Sequence, residues 1–139
     1  MRPAPLCEKL PEHALPTGGA STRVWPTLLV VDQDAEMLRT LVCYFEQRGF
    51  HVAAGTSVAE AKEFFHRHKS WALVISDYHL PDGTGWELCC WVRDQARTTP
   101  FLLMSGSPQC AALCAGTEYL AKPFPLEELA TRVRLLVGR

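Results

Sequence analysis

Four polar side chains in this sequence stand where apolar runs end. Asp32 follows Thr27-Leu-Leu-Val-Val31, and Asp77 closes the run that starts at Ala72 to Ile75. Ser105 follows Phe101 to Met104, and Lys122 follows Tyr119-Leu-Ala121. Two carboxylates brought together repel unless a cation holds them. Such oxygen ligands suit Mg²⁺, which keeps several waters and meets substrate phosphate. Lys122 offers a positive charge and Ser105 a hydroxyl donor to an anion with several oxygens. An acid, a hard cation, an ammonium and a hydroxyl are the parts needed for phosphoryl transfer to a carboxylate. Each residue alone has a plainer reading. Asp32 caps a helix, Asp77 caps a turn, Ser105 bonds to backbone, and Lys122 is a solvated charge. Their joint occurrence at four strand ends argues for a site.

The elements that must position them follow from periodicity. Thr27 to Val31 and Ala72 to Ile75 are short apolar runs, expected as strands buried on both faces. His51 to Gly55, Phe101 to Met104 and Tyr119 to Ala121 supply three more strands. Between them Leu38, Leu41, Val42 and Phe45 recur at helical spacing, with Asp34 as N-cap and Gly49 as stop. Ser57-Val-Ala-Glu60 and Thr84-Gly-Trp-Glu87 are capping boxes opening two further helices. Pro125 suits the first turn of a last helix carrying Leu126, Leu129, Ala130, Val133 and Leu136. Pro108 to Ala115 is weakly patterned, worth one or two turns. The order is β-α repeated five times. That predicts an α/β fold with a parallel sheet, helices on both faces and right-handed crossovers. All strands then end on one edge, where open α/β folds place ligands.

A chain of 139 residues is expected to form one domain. Residues 1–26 read as a disordered tail rich in Pro and Gly, and residues 27–139 as the ordered domain. The net charge of −1 offers no basic footprint for nucleic acid and no polybasic face for a membrane. No apolar run is long enough to span a bilayer, and no secretory signal opens the chain, so a cytoplasmic location is expected. The six cysteines show no zinc-ligand spacing. They read as small apolar filler, Cys43 among them.

The motifs Leu28-Leu-Val-Val-Asp32, Ile75-Ser-Asp77-Tyr-His-Leu-Pro-Asp-Gly-Thr-Gly-Trp-Glu-Leu88, Leu102-Leu-Met-Ser105-Gly and Tyr119-Leu-Ala-Lys122-Pro-Phe124 resemble the receiver domain of two-component response regulators. The resemblance covers about Thr27 to Arg139. It implies a flavodoxin-like, doubly wound five-stranded sheet of order 2-1-3-4-5, with the site at its switch point. It implies Asp77 as phospho-acceptor, Lys122 as phosphate-binding lysine with a cis bond to Pro123, and Ser105 as the switch hydroxyl. Tyr119 matches the aromatic that changes rotamer on activation. Asp32, Asp77 and the backbone carbonyl of His79 match the Mg²⁺ ligands. His79 and Ser107 sit where such proteins tune the lifetime of the phosphoryl group. The implied partner is a sensor histidine kinase or a phosphotransfer protein, with an unknown downstream protein target. Many such domains catalyse their own phosphorylation and dephosphorylation.

Two departures stand out. Gln33 occupies the position of a second acid, and a neutral amide oxygen ligates Mg²⁺ weakly. The stretch between Ser105 and Lys122 is short, which predicts a shortened fourth helix. Three readings follow. A phosphorylatable single-domain receiver, its output a protein contact since the chain stops after the last helix, is favoured. A phosphorylation-independent pseudo-receiver binding module is the alternative. A haloacid-dehalogenase-like phosphatase, with Asp32 as nucleophile of Asp32-Gln33-Asp34, ranks last because it leaves the Asp77 motif unexplained.

Overall fold

The computed structural model describes residues 25–68, 70–95, 98–106 and 117–138. Five strands form the main sheet: β1 (Thr27–Val31), β2 (His51–Gly55), β3 (Leu73–Asp77), β6 (Phe101–Ser105) and β7 (Thr117–Ala121). A two-residue pair, β4 (His79–Leu80) and β5 (Gly83–Thr84), makes a separate antiparallel hairpin after β3. Four helices complete the described chain: α1 (Ala35–Glu46), α2 (Val58–Arg67), α3 (Gly85–Gln95) and α4 (Leu126–Val137).

The sheet is parallel throughout, in the order β2-β1-β3-β6-β7. With the hairpin set aside this is the expected 2-1-3-4-5. Every residue of β3 and β6 is buried, as is β1 beyond Thr27. Side chains alternate between two cores, as the pleat demands. Leu28, Val30, Leu73, Ile75, Leu102 and Met104 face α1 and α4. Leu29, Val31, Val74, Phe101 and Leu103 face α2 and α3.

Local sequence sets the helix ends. The Asp34 carboxylate accepts from the Glu36 and Met37 N–H groups, capping α1. Gly49, at φ 94°, takes the left-handed turn after it. Thr84 and Glu87 cap α3 reciprocally, at 3.0 and 3.2 Å. At α2 the Ser57 hydroxyl accepts from Glu60 N–H, but the Glu60 carboxylate reaches Thr56 rather than Ser57.

Several expectations need correction. β6 runs one residue further than expected, to include Ser105, while Asp77 ends its strand as expected. Pro125 is the N-cap of α4, one residue before its first turn. Trp25 and Pro26, assigned to the tail, lie against β2. The His51 N–H donates to the Pro26 carbonyl, and the Trp25 and His51 rings are 5.2 Å apart. Cys43 is half-buried and disulfide-bonded, so it is not filler. The shortened fourth helix, Ser107 and the rest of the tail fall outside the described residues. Among the described residues no helix is long and apolar enough to cross a membrane.

Candidate functional site

The carboxyl ends of β1, β3, β6 and β7 meet on one edge of the sheet. Asp32 follows β1, and its N–H donates to the Gly55 carbonyl at the end of β2 (3.1 Å). Its Oδ1 accepts from the Asp34 N–H (2.9 Å), and the residue is 1 % exposed. Asp77 ends β3, 7 % exposed and registered beside Met104 of β6. The loop after it is locked, because the Tyr78 N–H donates to the Met104 carbonyl (2.8 Å). Ser105 ends β6 fully buried and pairs in register with Ala121. The Lys122 N–H donates to the Ser105 carbonyl (2.9 Å), and the Lys122–Pro123 bond is cis.

Lys122 joins the two acids. Its Nζ lies 3.1 Å from Asp32 Oδ2 and 3.4 Å from Asp77 Oδ1. Residues 90 and 45 positions away in sequence therefore share one ammonium, as the strand-end pattern requires. The balance at Asp77 is unfavourable to its charge. Burial lifts its carboxyl above the usual range, the Asp32 charge adds to this, and Lys122 opposes both. A site with two buried acids and one ammonium favours an added cation.

Glycine is required behind Asp77. The Gly85 N–H donates to the Tyr78 carbonyl (2.7 Å). A Cβ on Gly85 would overlap the Asp77 carbonyl oxygen and lie 2.7 Å from Leu103 Cδ2. The α3 N-terminus thus sits directly behind the acid. The Ser76 hydroxyl donates to the same Asp77 carbonyl (2.9 Å).

The remaining sequence-predicted residues lie on the adjoining strands and loops. Tyr119 on β7 is half-buried, and its hydroxyl donates to the Ser105 carbonyl (3.1 Å). Gln33 is exposed next to Asp32, and His79 is exposed on β4. Asp34 is exposed and committed to capping α1, as expected. Asp82, which the sequence analysis did not single out, is a further participant. Its carboxylate accepts from the Val58 and Ala59 N–H groups of α2, at 2.7 and 3.0 Å. These bonds hold its carboxyl below the usual range.

The donor set suits a hard divalent cation. Asp32 and Asp77 present carboxylate oxygens close enough to share one ammonium, and Mg²⁺ typically takes one or two carboxylates plus waters and phosphate. Among the described residues no cluster of three or more His, Cys, Asp or Glu is placed to hold a metal. A neutral Gln33 beside Asp32 is consistent with that.

A doubly wound sheet with polar groups gathered at its carboxyl edge defines a class of α/β proteins that bind ligands at a switch point. The comparisons narrow this. The model of the response regulator receiver domain matches residues 28–134, and the chain belongs to that family. It is 32 % identical over 120 residues to the transcriptional regulatory protein GltR of Pseudomonas aeruginosa, covering 81 % of this chain and 49 % of that protein. It is 30 % identical over 117 residues to the transcriptional regulatory protein BasR of Escherichia coli, covering 81 % and 52 %. The chain thus spans about half the length of the curated relatives it matches. Among solved structures, the non-phosphorylated HemR receiver domain of Leptospira biflexa is similar at TM-score 0.74 and 26 % identity, covering 82 % of this chain and 95 % of that one. A putative response regulator of Chloroflexus aurantiacus is similar at 0.73 and 31 %, covering 84 % and 100 %.

Proposed function

We propose that Asp77 accepts a phosphoryl group from a sensor histidine kinase or a phosphotransfer protein, and that the phosphorylated domain signals through protein contacts. The observation that carries this reading is the Lys122 ammonium shared between Asp32 and Asp77. In the transfer an Asp77 carboxylate oxygen attacks phosphorus, and the bond from phosphorus to the donor nitrogen or oxygen breaks. Lys122 then exchanges one of its carboxylate contacts for a phosphoryl oxygen. Ser105 donates its hydroxyl to another, and Tyr119, tied to the Ser105 carbonyl, registers the move. Asp32, Asp77, the His79 carbonyl and, weakly, Gln33 would hold Mg²⁺. That ion supplies positive charge against the phosphoryl oxygens and the acid pair.

Asp77 is suited to the nucleophile's role by position. It is close to Lys122, whose ammonium is placed to offset the negative charge that a phosphoryl group adds beside Asp32. Asp32 is unsuited to it, being bonded to both Lys122 and the Asp34 N–H. This weighs against the phosphatase reading. Gln33 favours a second reading, a phosphorylation-independent binding module.

Incubation with Mg²⁺ and acetyl phosphate, followed by intact-mass measurement and peptide mapping, tests the proposal. One phosphoryl group on Asp77, absent in Asp77→Asn, is the expected result. No label at any Mg²⁺ concentration would favour the binding module. Label on Asp32, or phosphate release that survives Asp77→Asn, would revive the phosphatase.

A further inference from the structure

Asp82 lies at the tip of the β4–β5 hairpin, between Pro81 and Gly83. The N-terminus of α2 needs partners for its first N–H groups. Ser57 takes Glu60 N–H, and Glu60 takes the Thr56 N–H and hydroxyl. Val58 and Ala59 are left over, and Asp82, 24 and 23 residues away, takes both. Apolar contact reinforces this. Leu80 and Val58 are both 8 % exposed in one core cluster. Gly83 sits so near Val58 that an added Cβ would be 3.3 Å from its Cγ2. The hairpin is therefore clamped to α2 by two charge-assisted hydrogen bonds and by packing.

The same hairpin begins two residues after Asp77 and contains His79. Its other end runs straight into α3, whose first residue, Gly85, is bonded to the Tyr78 carbonyl. We infer that Asp82 is a positioning residue for the acidic pocket: through α2 it fixes the hairpin, and with it the His79 backbone, relative to Asp77. The inference rests on the phospho-acceptor reading and deepens it. Such coupling is reciprocal. A cation that draws on the His79 carbonyl then tightens the first turn of α2, so α2 senses whether the pocket is filled.

The full chain is titrated with Mg²⁺ by calorimetry, and amide hydrogen exchange is followed at Val58 and Ala59. Asp82→Ala is expected to weaken Mg²⁺ binding about tenfold, the scale seen when a group that orients a metal ligand is lost. Acetyl phosphate labelling of the variant slows at limiting Mg²⁺ and recovers at saturation. Ser57→Ala removes a cap from the same helix without touching the hairpin. It lowers the melting temperature but leaves Mg²⁺ affinity within about twofold of wild type. In the wild type, Mg²⁺ slows exchange at Val58 and Ala59. Asp82→Asn keeps one acceptor oxygen and carries the same test with a smaller loss should the alanine variant not fold. Unchanged Mg²⁺ affinity in the Asp82 variants, beside a wild type that binds and labels, overturns this inference alone. A wild type that neither binds Mg²⁺ nor labels overturns the proposed function, and the inference with it.

Discussion

Glu46 ends α1 with its side chain buried, only 6 % exposed, and among the described residues its Oε1 has no hydrogen-bond partner. Its surroundings oppose a negative charge. The last turn of α1 carries no basic residue, and the C-terminal end of a helix is itself partially negative. Arg48 is close in sequence, but its guanidinium donates to the Tyr44 carbonyl (3.1 Å) and stacks on the Tyr44 ring. Burial accordingly raises the Glu46 carboxyl from 4.5 to about 7. The folded protein then holds a proton that the unfolded chain releases between these values. Stability from this group is complete below pH 4.5 and is lost as pH rises toward 7. Each tenfold change in proton affinity is worth about 1.4 kcal/mol, so the loss amounts to roughly 3 kcal/mol at pH 8. Glu46→Gln removes the titration and substitutes an amide whose donors cost a similar amount at every pH. The measurement is urea unfolding of both proteins from pH 5 to pH 8. The stability of the variant relative to wild type should climb by about 2–3 kcal/mol across that range. Other titrating groups cancel in the difference. A difference that is flat with pH would show that Glu46 ionises in the fold without penalty, and the argument from its burial would fail.

Other expectations concern the pocket. Lys122→Met leaves two buried acids without their shared cation and should destabilise the fold by about 3–5 kcal/mol near pH 7, read by chemical denaturation. Asp77→Asn should do the reverse. The Asp77 carboxyl is raised, so its charge costs stability above that range, and the variant should gain melting temperature at pH 7.5 but not at pH 4. Gln33→Asp adds one exposed charge. At about 4 Å in water that is worth 1–2 kcal/mol for a divalent ion, so calorimetry should find Mg²⁺ bound roughly tenfold more tightly. Gly85→Ala forces a methyl group against the Asp77 carbonyl and Leu103, and should cost about 1–3 kcal/mol by thermal unfolding.

The architecture was legible because its signals are local and repeated. β1 and β2 span the residues their apolar runs marked, and Asp34, Thr84 and Glu87 cap where their types and spacing say. The convergence of Asp32, Asp77 and Lys122 was legible for another reason: a parallel sheet has one carboxyl edge, so polar strand ends must meet there. What escaped has no periodicity. Strands of two residues, such as β4 and β5, cannot alternate. The Asp82 bonds to α2 join segments 24 residues apart, and Pro81-Asp82-Gly83 has the residue types of an ordinary turn. Glu46 looks like a solvated charge at a helix end, and its burial is a property of tertiary packing alone.

Charge explains why the pocket is built this way. Lys122 meets both acids, so neither is left without a partner, yet one ammonium cannot satisfy two carboxylates. The deficit falls on Asp77, whose carboxyl is raised while it sits beside Asp32. A fold selected for stability alone would place an apolar residue or a second cation here. Gln33 lowers the deficit by one charge relative to an acid at that position, and so lowers the pull on a divalent ion. On the phospho-acceptor reading, affinity for the cation then depends more heavily on how well the neutral ligands are placed. The His79 carbonyl is one of these, and the hairpin that carries it is fastened to α2 through Asp82. A chain that gives up a metal-binding charge has more to gain from a rigid loop, and that makes the effect of Asp82→Ala on Mg²⁺ larger here than in a Gln33→Asp background.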